Sequence, residues 1–349
     1  MVVVVTLGAS CADSKDAENL ETNLPEPLPA PTAVGSPLSH PEEVIYVVDP
    51  NGGAVISNII VLDGITAKTL KTYTVRHGPS IAFSRDGNAM FVADSYRIHV
   101  TRGDLKSYIS SFDTRTGSLL SDDVPLTNIT RYKFYPLGDP MFFASADGDV
   151  LFTQRYDEQN PGYATISVLD KDSFEVIREA QTPDCGLRIR AFSDEWLCVN
   201  SSGRVDEGFT TTVSRIDPIK GIEIENLAVF RSGRVVEAVK PKNADTLLIV
   251  TQGGRVTVVD LHTRSVTHAE LEHDEDSSLG HTGTVDATPD GSRLFVAFIG
   301  NDEEHSGFVV SEIRVYDTTS WEVVGVIEPD DPAMHFAISA SGQRLYTVS

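Results

Sequence analysis

Apolar and polar residues alternate along this chain in short runs, and six of the runs end the same way. Ile59–Asp63, Tyr108–Asp113, Ile166–Asp170, Val213–Asp217, Val256–Asp260 and Ile313–Asp317 are rich in β-branched or aromatic residues and close on an aspartate before a turn. Alternation with a period of two marks strands. The aspartate explains the stop, since its carboxylate can accept from backbone N–H groups just ahead and start the turn. These aspartates therefore read as turn formers rather than catalytic groups. The runs recur every roughly 43 to 57 residues, within the range of repeated supersecondary units. A second signature falls between them: Ser84-Arg-Asp-Gly87, Ser145-Ala-Asp-Gly148, Thr288-Pro-Asp-Gly291 and Ser339-Ala-Ser-Gly342. The Asp-Gly pairs supply the positive φ that a tight hairpin needs. No stretch carries a helical period for more than two turns.

The strands fall into a first group, Val44–Val48, Ile59–Leu62 and Leu70–Val75. Four-strand units then start near Pro79, Arg131, Leu187, Arg234 and His281, and a last pair of strands starts at Met334. The pattern predicts an all-β chain, a seven-bladed β-propeller of four-stranded antiparallel blades whose last blade is incomplete. An open ring exposes edge strands, so the chain reads as C-terminally truncated.

Composition narrows the setting. The 349 residues are 40% hydrophobic and carry a formal charge of −23. Such a surface repels nucleic acid and anionic membrane and favours a basic partner. No run is long enough for a transmembrane helix. The cysteines are Cys11, Cys185 and Cys198, an odd number that leaves one with a separate role. Val2–Val5 and Leu7-Gly-Ala-Ser10 precede Cys11 like the end of a lipoprotein signal. Residues 1–11 thus read as a remnant export or lipoprotein-like signal, with Cys11 as a lipidation candidate. Residues 12–43 read as an acidic, proline-rich disordered linker, and residues 44–349 as the propeller domain. The expected location is periplasmic or exported, with a lipid anchor as the tether.

Three stretches resemble the heavy subunit of the quinoprotein amine dehydrogenases, the methylamine and aromatic amine dehydrogenase family. The first runs from Ile45-Tyr-Val-Val-Asp-Pro50 through Ser95-Tyr-Arg-Ile-His-Val-Thr-Arg-Gly-Asp104 to Tyr108-Ile-Ser-Ser-Phe-Asp113. The second is Thr182-Pro-Asp-Cys185 with Trp196-Leu-Cys198, and the third runs from Ile313 to Ser349. The resemblance implies a periplasmic scaffold without catalytic, cofactor-binding or metal residues of its own. It implies a partner, a small catalytic subunit bearing a tryptophan-derived quinone, which oxidises primary amines and passes electrons to a cupredoxin or c-type cytochrome. The loops expected to face that partner hold Asn51, Gly52, Gly53, Arg102 and Gly103. Gly53 stands where the family carries an aromatic residue that reaches the active site. The family also has a cysteine pair at Cys185 and Cys198. A bridge there would close a short loop and add roughly 2–3 kcal/mol; two reduced buried thiols are the other reading.

Elsewhere the chemistry is sparse. His273-Asp-Glu-Asp-Ser-Ser-Leu-Gly-His281, with Asp286 after it, fits no established cation-binding spacing and reads as a solvated loop. Asn301-Asp-Glu-Glu-His305 reads the same way. No phosphate-binding loop, dinucleotide fingerprint or nucleophile elbow occurs. Trp196 and Trp321 read as packing residues. The alternative to an amine dehydrogenase subunit is a stand-alone, surface-tethered propeller that binds without catalysing.

Overall fold

The structure is a computed structural model. It describes residues 2–6, 32–35, 43–49, 56–97, 105–126, 142–145, 149–156, 163–183, 187–190, 196–204, 208–217, 222–272, 278–279, 285–300, 309–329, 335–339 and 341–348. All regular structure among them is β, as the strand pattern predicts. Among the described residues no helix is long and apolar enough to cross a membrane. The chain divides into two compact units, essentially Val4–Pro136 and Leu137–Ser349.

The N-terminal unit holds β1 (Val2–Thr6), β2 (Thr32–Gly35), β3 (Val44–Asp49), β4 (Ile56–Asp63), β5 (Thr69–Phe83), β6 (Ala89–Arg97), β7 (Leu105–Asp113) and β8 (Leu119–Leu126). Their hydrogen-bonded order is β1-β3-β4-β5-β6-β7-β8, with β2 also on β5. β1 and β2 come from the stretches whose sequence reads as export signal and linker. β5 belongs to two sheets. Its first half pairs with β4, from Leu62↔Thr69 to Ile56↔Arg76. Its second half pairs with β6, from His77↔Ser95 to Phe83↔Met90, after a register shift. The two half-sheets bury a common apolar layer that includes Tyr46, Ile59, Tyr73, Val92 and Phe112. Tyr46 meets Phe83 edge-on at 4.7 Å, and Tyr73 meets Phe112 at 4.9 Å.

The C-terminal unit stacks five sheets. β9 (Phe142–Ala144), β10 (Val150–Tyr156), β11 (Tyr163–Asp170) and β12 (Val176–Pro183) form one. β13 (Leu187–Arg190), β14 (Trp196–Arg204), β15 (Gly208–Asp217) and β16 (Ile222–Ser232) form the next. β17 (Val235–Val239), β18 (Thr246–Thr251), β19 (Arg255–Asp260) and β20 (Val266–Glu270) form the third. The fourth has β21 (Ser278–Leu279) and β22 (Val285–Ala287) on one side of β23 (Arg293–Gly300), then β24 (Val309–Asp317) and β25 (Val323–Ile327). β26 (His335–Ile338) and β27 (Leu345–Val348) make the last. The strands β13, β17, β22 and β26 lie beside one another in that order.

The middle sheet shows how the stack is held. Successive side chains of a strand point to opposite faces. On β18, Leu247 and Ile249 enter a cluster with Leu197, Val199 and Val213 of the preceding sheet. The residues between and after them, Leu248 and Val250, enter a cluster with Leu294, Val296 and Phe298 of the following sheet. β23 repeats the device, since Ala297 packs toward Phe336 and Ile338 of the last sheet. Each fully buried leucine or isoleucine contributes about 1.5–3 kcal/mol through removal from water.

The recurring aspartates close the hairpins as their sequence position predicts. Asp63 Oδ1 accepts from the N–H groups of Ile65 and Thr66 at 3.0 and 2.7 Å. Asp170 and Asp260 do the same two and three residues ahead. Asp317 follows with Thr319 and Ser320, and Asp113 accepts from Thr116. These N–H donors favour the charged carboxylate, so all five sit below the ordinary carboxylate range. The fifth residue of each turn takes a positive φ: Ala67, Gly117, Phe174, Arg264 and Trp321. Sequence reading places glycine in such positions, yet four of the five are not glycine. The carboxylate bonds hold the turn tightly enough to offset a left-handed cost of about 1–2 kcal/mol. Gly117 is the exception for a visible reason, because a Cβ there would come within 2.8 Å of the buried Lys71 ammonium nitrogen.

The second signature works through its hydroxyl. Ser84, Ser145, Thr288 and Ser339 each accept the N–H five residues on, at 2.9, 3.1, 3.0 and 3.0 Å. The threonine after the closing aspartate then joins the two kinds of turn. Thr114 Oγ1 donates to the Gly87 carbonyl at 2.6 Å, and Thr318 Oγ1 to the Gly291 carbonyl at 2.6 Å. Thr114→Val and Thr318→Val should each cost about 1 kcal/mol. The pair should add in the double variant, since the sites share no partner; urea denaturation of the three variants measures this.

Candidate functional site

The N-terminal unit has an apolar layer with one polar end. Asp49 pairs with Asn58, and Ile56 with Arg76. Arg97 pairs with Leu105, and Asp94 with Tyr108. The chain positions where loops 50–55 and 98–104 leave and return therefore lie at the same end of the half-sheets as Arg76, Asp94 and Tyr108. Those three side chains form a cluster. Asp94 Oδ2 accepts the Arg76 backbone N–H at 3.0 Å, and its Oδ1 accepts from Arg76 Nη1 at 3.4 Å. The guanidinium lies over the Tyr108 ring, 4.6 Å from its centre. Both charged side chains are buried, Arg76 to 5% exposure and Asp94 to 0%.

Strand parity puts further polar groups at this end. Ser110 lies opposite Val92 and so shares the face of that valine, as does Asp94 two residues on. Ser57 precedes Ile59 by two and shares its face. Both serine hydroxyls are fully buried. Within the described residues neither has a hydrogen-bond partner. A layer of aromatic and aliphatic side chains thus ends in an ion pair, a stacked tyrosine and two hydroxyls. The ion pair fixes the point where β5 passes from one half-sheet to the other. It therefore fixes the spacing of the strand ends from which both loops spring.

The residues singled out from sequence fall unevenly on this frame. Asn51, Gly52, Gly53, Arg102 and Gly103 lie outside the described residues, as do Cys11 and Cys185. The strand ends flanking the two loops are described, and they lie at the same end of the half-sheets as the cluster. Cys198 is on β14, buried to 5% exposure opposite Arg188 on β13 and Ser214 on β15. The histidine-rich stretch after Glu272 lies largely outside the described residues. The approach to it is well held, since Tyr316 Oη and Arg314 Nη1 both donate to the Glu272 carbonyl, at 2.8 and 3.0 Å. Among the described residues no group of histidine, cysteine, aspartate or glutamate has metal-binding geometry. Trp196 packs edge-on against Phe152 at 5.4 Å. Trp321 packs against the cluster around β23.

Sequence reading misses the Arg76–Asp94 pair. The available signal is a carboxylate directly after the apolar run Met90-Phe-Val-Ala93. A charge in a buried strand is retained only with a partner, and the partner lies across a strand pairing that sequence spacing does not reveal.

Stacked antiparallel sheets with consecutive packing define an all-β, propeller-like class of protein. A solved structure, Kuenenia stuttgartiensis hydrazine synthase, shares the fold with a TM-score of 0.57 and 15% identity. The match covers 86% of this chain and 91% of that one. Dihydro-heme d1 dehydrogenase NirN in complex with DHE matches with a TM-score of 0.48 and 15% identity, over 90% of this chain and 62% of that one. Residues 42–273 match the family described as methylamine dehydrogenase heavy chain (MADH), and the chain belongs to that family. The methylamine dehydrogenase heavy chain of Methylophilus methylotrophus is 24% identical over 142 residues. That alignment covers 40% of this chain and 33% of the relative, so it spans about a third of the relative's length.

Asp94→Ala removes the carboxylate from a buried ion pair and should destabilise the chain by about 3–5 kcal/mol. Asp94→Asn keeps an acceptor for the Arg76 N–H and should cost less. Equilibrium urea unfolding of both variants measures the difference.

Proposed function

We propose that this chain is the heavy, β-propeller subunit of a quinoprotein amine dehydrogenase. It scaffolds a small catalytic subunit that oxidises primary amines to aldehydes and passes electrons to a cupredoxin or c-type cytochrome. Family membership over residues 42–273 carries this reading, because that stretch contains both loops 50–55 and 98–104 and the polar cluster at the strand ends that flank them. A seven-bladed ring is part of the same proposal, supported by the face-to-face stacking of sheets within each unit.

The division of labour follows from the residues. The quinone supplies an electrophilic carbonyl that takes up the amine and two electrons, and its place is on the companion chain. Trp196 on β14 and Trp321 in the turn between β24 and β25 are held as packing residues. The chain's own contribution is positional. The Arg76–Asp94 pair holds the strand ends, and the two loops wall the amine channel against the partner. Gly53, where the family has an aromatic residue, leaves that wall open to a bulkier amine. The same glycine favours a second reading, a tethered binding module without a quinone partner.

The setting we propose is the periplasm, with Cys11 as the lipid anchor. Cys198 is disulfide-bonded, which supports an oxidising compartment and a bridge to Cys185. Cys185→Ser should lower stability by about 2–3 kcal/mol. Reductant should lower the melting temperature of the wild type but not of the variant, and equal melting under both conditions would argue against the bridge.

The function is tested by purifying the tagged chain from its native host and staining co-purifying proteins for quinone with phenylhydrazine. A small quinone-positive chain in fixed ratio is the expected result. A monomer without quinone absorbance would remove the enzyme reading and leave the binding module.

A further inference from the structure

Asp286 breaks the repeat at a structurally sensitive point. Two residues before each Ser/Thr turn position, and at the matching place on β17, the chain carries Ala82, Phe143, Ala238 and Ala337. All are apolar, and only here does a carboxylate take their place. The carboxylate reaches into the next sheet. Asp286 Oδ2 accepts the backbone N–H of Ile338 on β26 at 2.8 Å, and Oδ1 accepts the N–H of Ala287 at 2.7 Å.

The Ile338 N–H needs such an acceptor. Ser339 donates its N–H to the Arg344 carbonyl, closing the ladder to β27. Backbone N–H groups alternate between the two edges of a strand, so Ile338 turns its own toward the open edge of β26. That edge faces β22, and Ile338 itself is buried among Ala297, Ile313 and Phe336. A buried backbone donor without a partner costs free energy. Asp286 thus joins the last two-stranded sheet to the body of the C-terminal unit.

From this geometry we infer that Asp286 is a proton-operated latch, which docks the sheet β26–β27 firmly when protonated and loosens it when ionised. Asp286 is a half-buried residue with protein on most sides of its carboxyl. Burial opposes its charge and raises its pKa to about 6, against the pull of the two N–H donors. A neutral carboxyl still accepts from Ile338 through its carbonyl oxygen. An undocked Asp286 returns to the ordinary value near 3.8. The group's folded value is the raised one, so its contribution to docking is complete below about pH 4 and is lost as pH rises through 6.

The other titratable or charged groups on the surrounding strands are Glu237 on β17, Arg293 on β23 and His335 on β26. Glu237 accepts from the Ala238 N–H, and Arg293 pairs with Asp317. A His335→Gln variant separates that residue from Asp286.

Hydrogen exchange of the Ile338 amide tests the latch, read as a protection factor corrected for intrinsic rate between pH 5 and 7.5. In the wild type, protection should fall by roughly 10-fold across that range, because the docking equilibrium weakens as the carboxyl gives up its proton. Protection at Ile249 on β18 should hold steady. Asp286→Asn should keep Ile338 protected at all pH values, and Asp286→Ala, which restores the residue of the other repeats, should give low, pH-independent protection. His335→Gln should retain the wild-type fall. A flat wild-type profile, an equal fall at Ile249, or a fall that survives Asp286→Asn or vanishes in His335→Gln would overturn the assignment.

Discussion

A sheet that is apolar on both faces cannot stand alone in water, and this single constraint organises the chain. β18 carries five buried residues in succession after Thr246. Such a strand needs a neighbour on each side, and the period of two delivers alternate residues to each. The hairpins then have to be short, because each new sheet must begin close to where the last ended. The recurring aspartate and hydroxyl turns meet that need by bonding the backbone locally. They leave the apolar runs free to pack. The outer strands are less constrained, and Ile177, Val229, Val324 and Val326 remain largely exposed there.

Polar residues inside this apolar frame stand out by contrast. Arg76 and Asp94 are both buried, and each is tolerated because the other is there. A buried pair of this kind is weak evidence of stabilisation, since desolvation offsets much of the attraction. Its value here is geometric. It holds the crossing of β5 between two half-sheets and keeps two loop stems at one spacing. Asp286 plays a related part, satisfying a backbone donor at the edge of a sheet, with no ion pair among the described residues. Both are departures from the repeat, and in both the departing side chain joins elements that the repeat alone would leave to apolar packing.

The family match and the cluster fall on the same stretch of chain. The matched residues cover the N-terminal unit from residue 42 and continue through the third sheet of the C-terminal unit, whose last strand ends at Glu270. Function in such an array belongs to the loops at the sheet ends, because the interior is consumed by packing.

Much was legible in the residues themselves. The apolar runs, the closing aspartates and the Asp-Gly turns located most strands and their order, because strand period and turn chemistry are local properties. The sequence also marked Cys198, which is disulfide-bonded. Local pattern could not show that β5 serves two sheets, or that Asp94 lies across from Tyr108 and grips Arg76. Nor could it show that the Asp286 carboxylate meets an N–H 52 residues later in the chain. Those relations depend on strand register and on which face meets which neighbour. They are settled only when the sheets stack, because a one-residue change of register would turn every side chain to the opposite face.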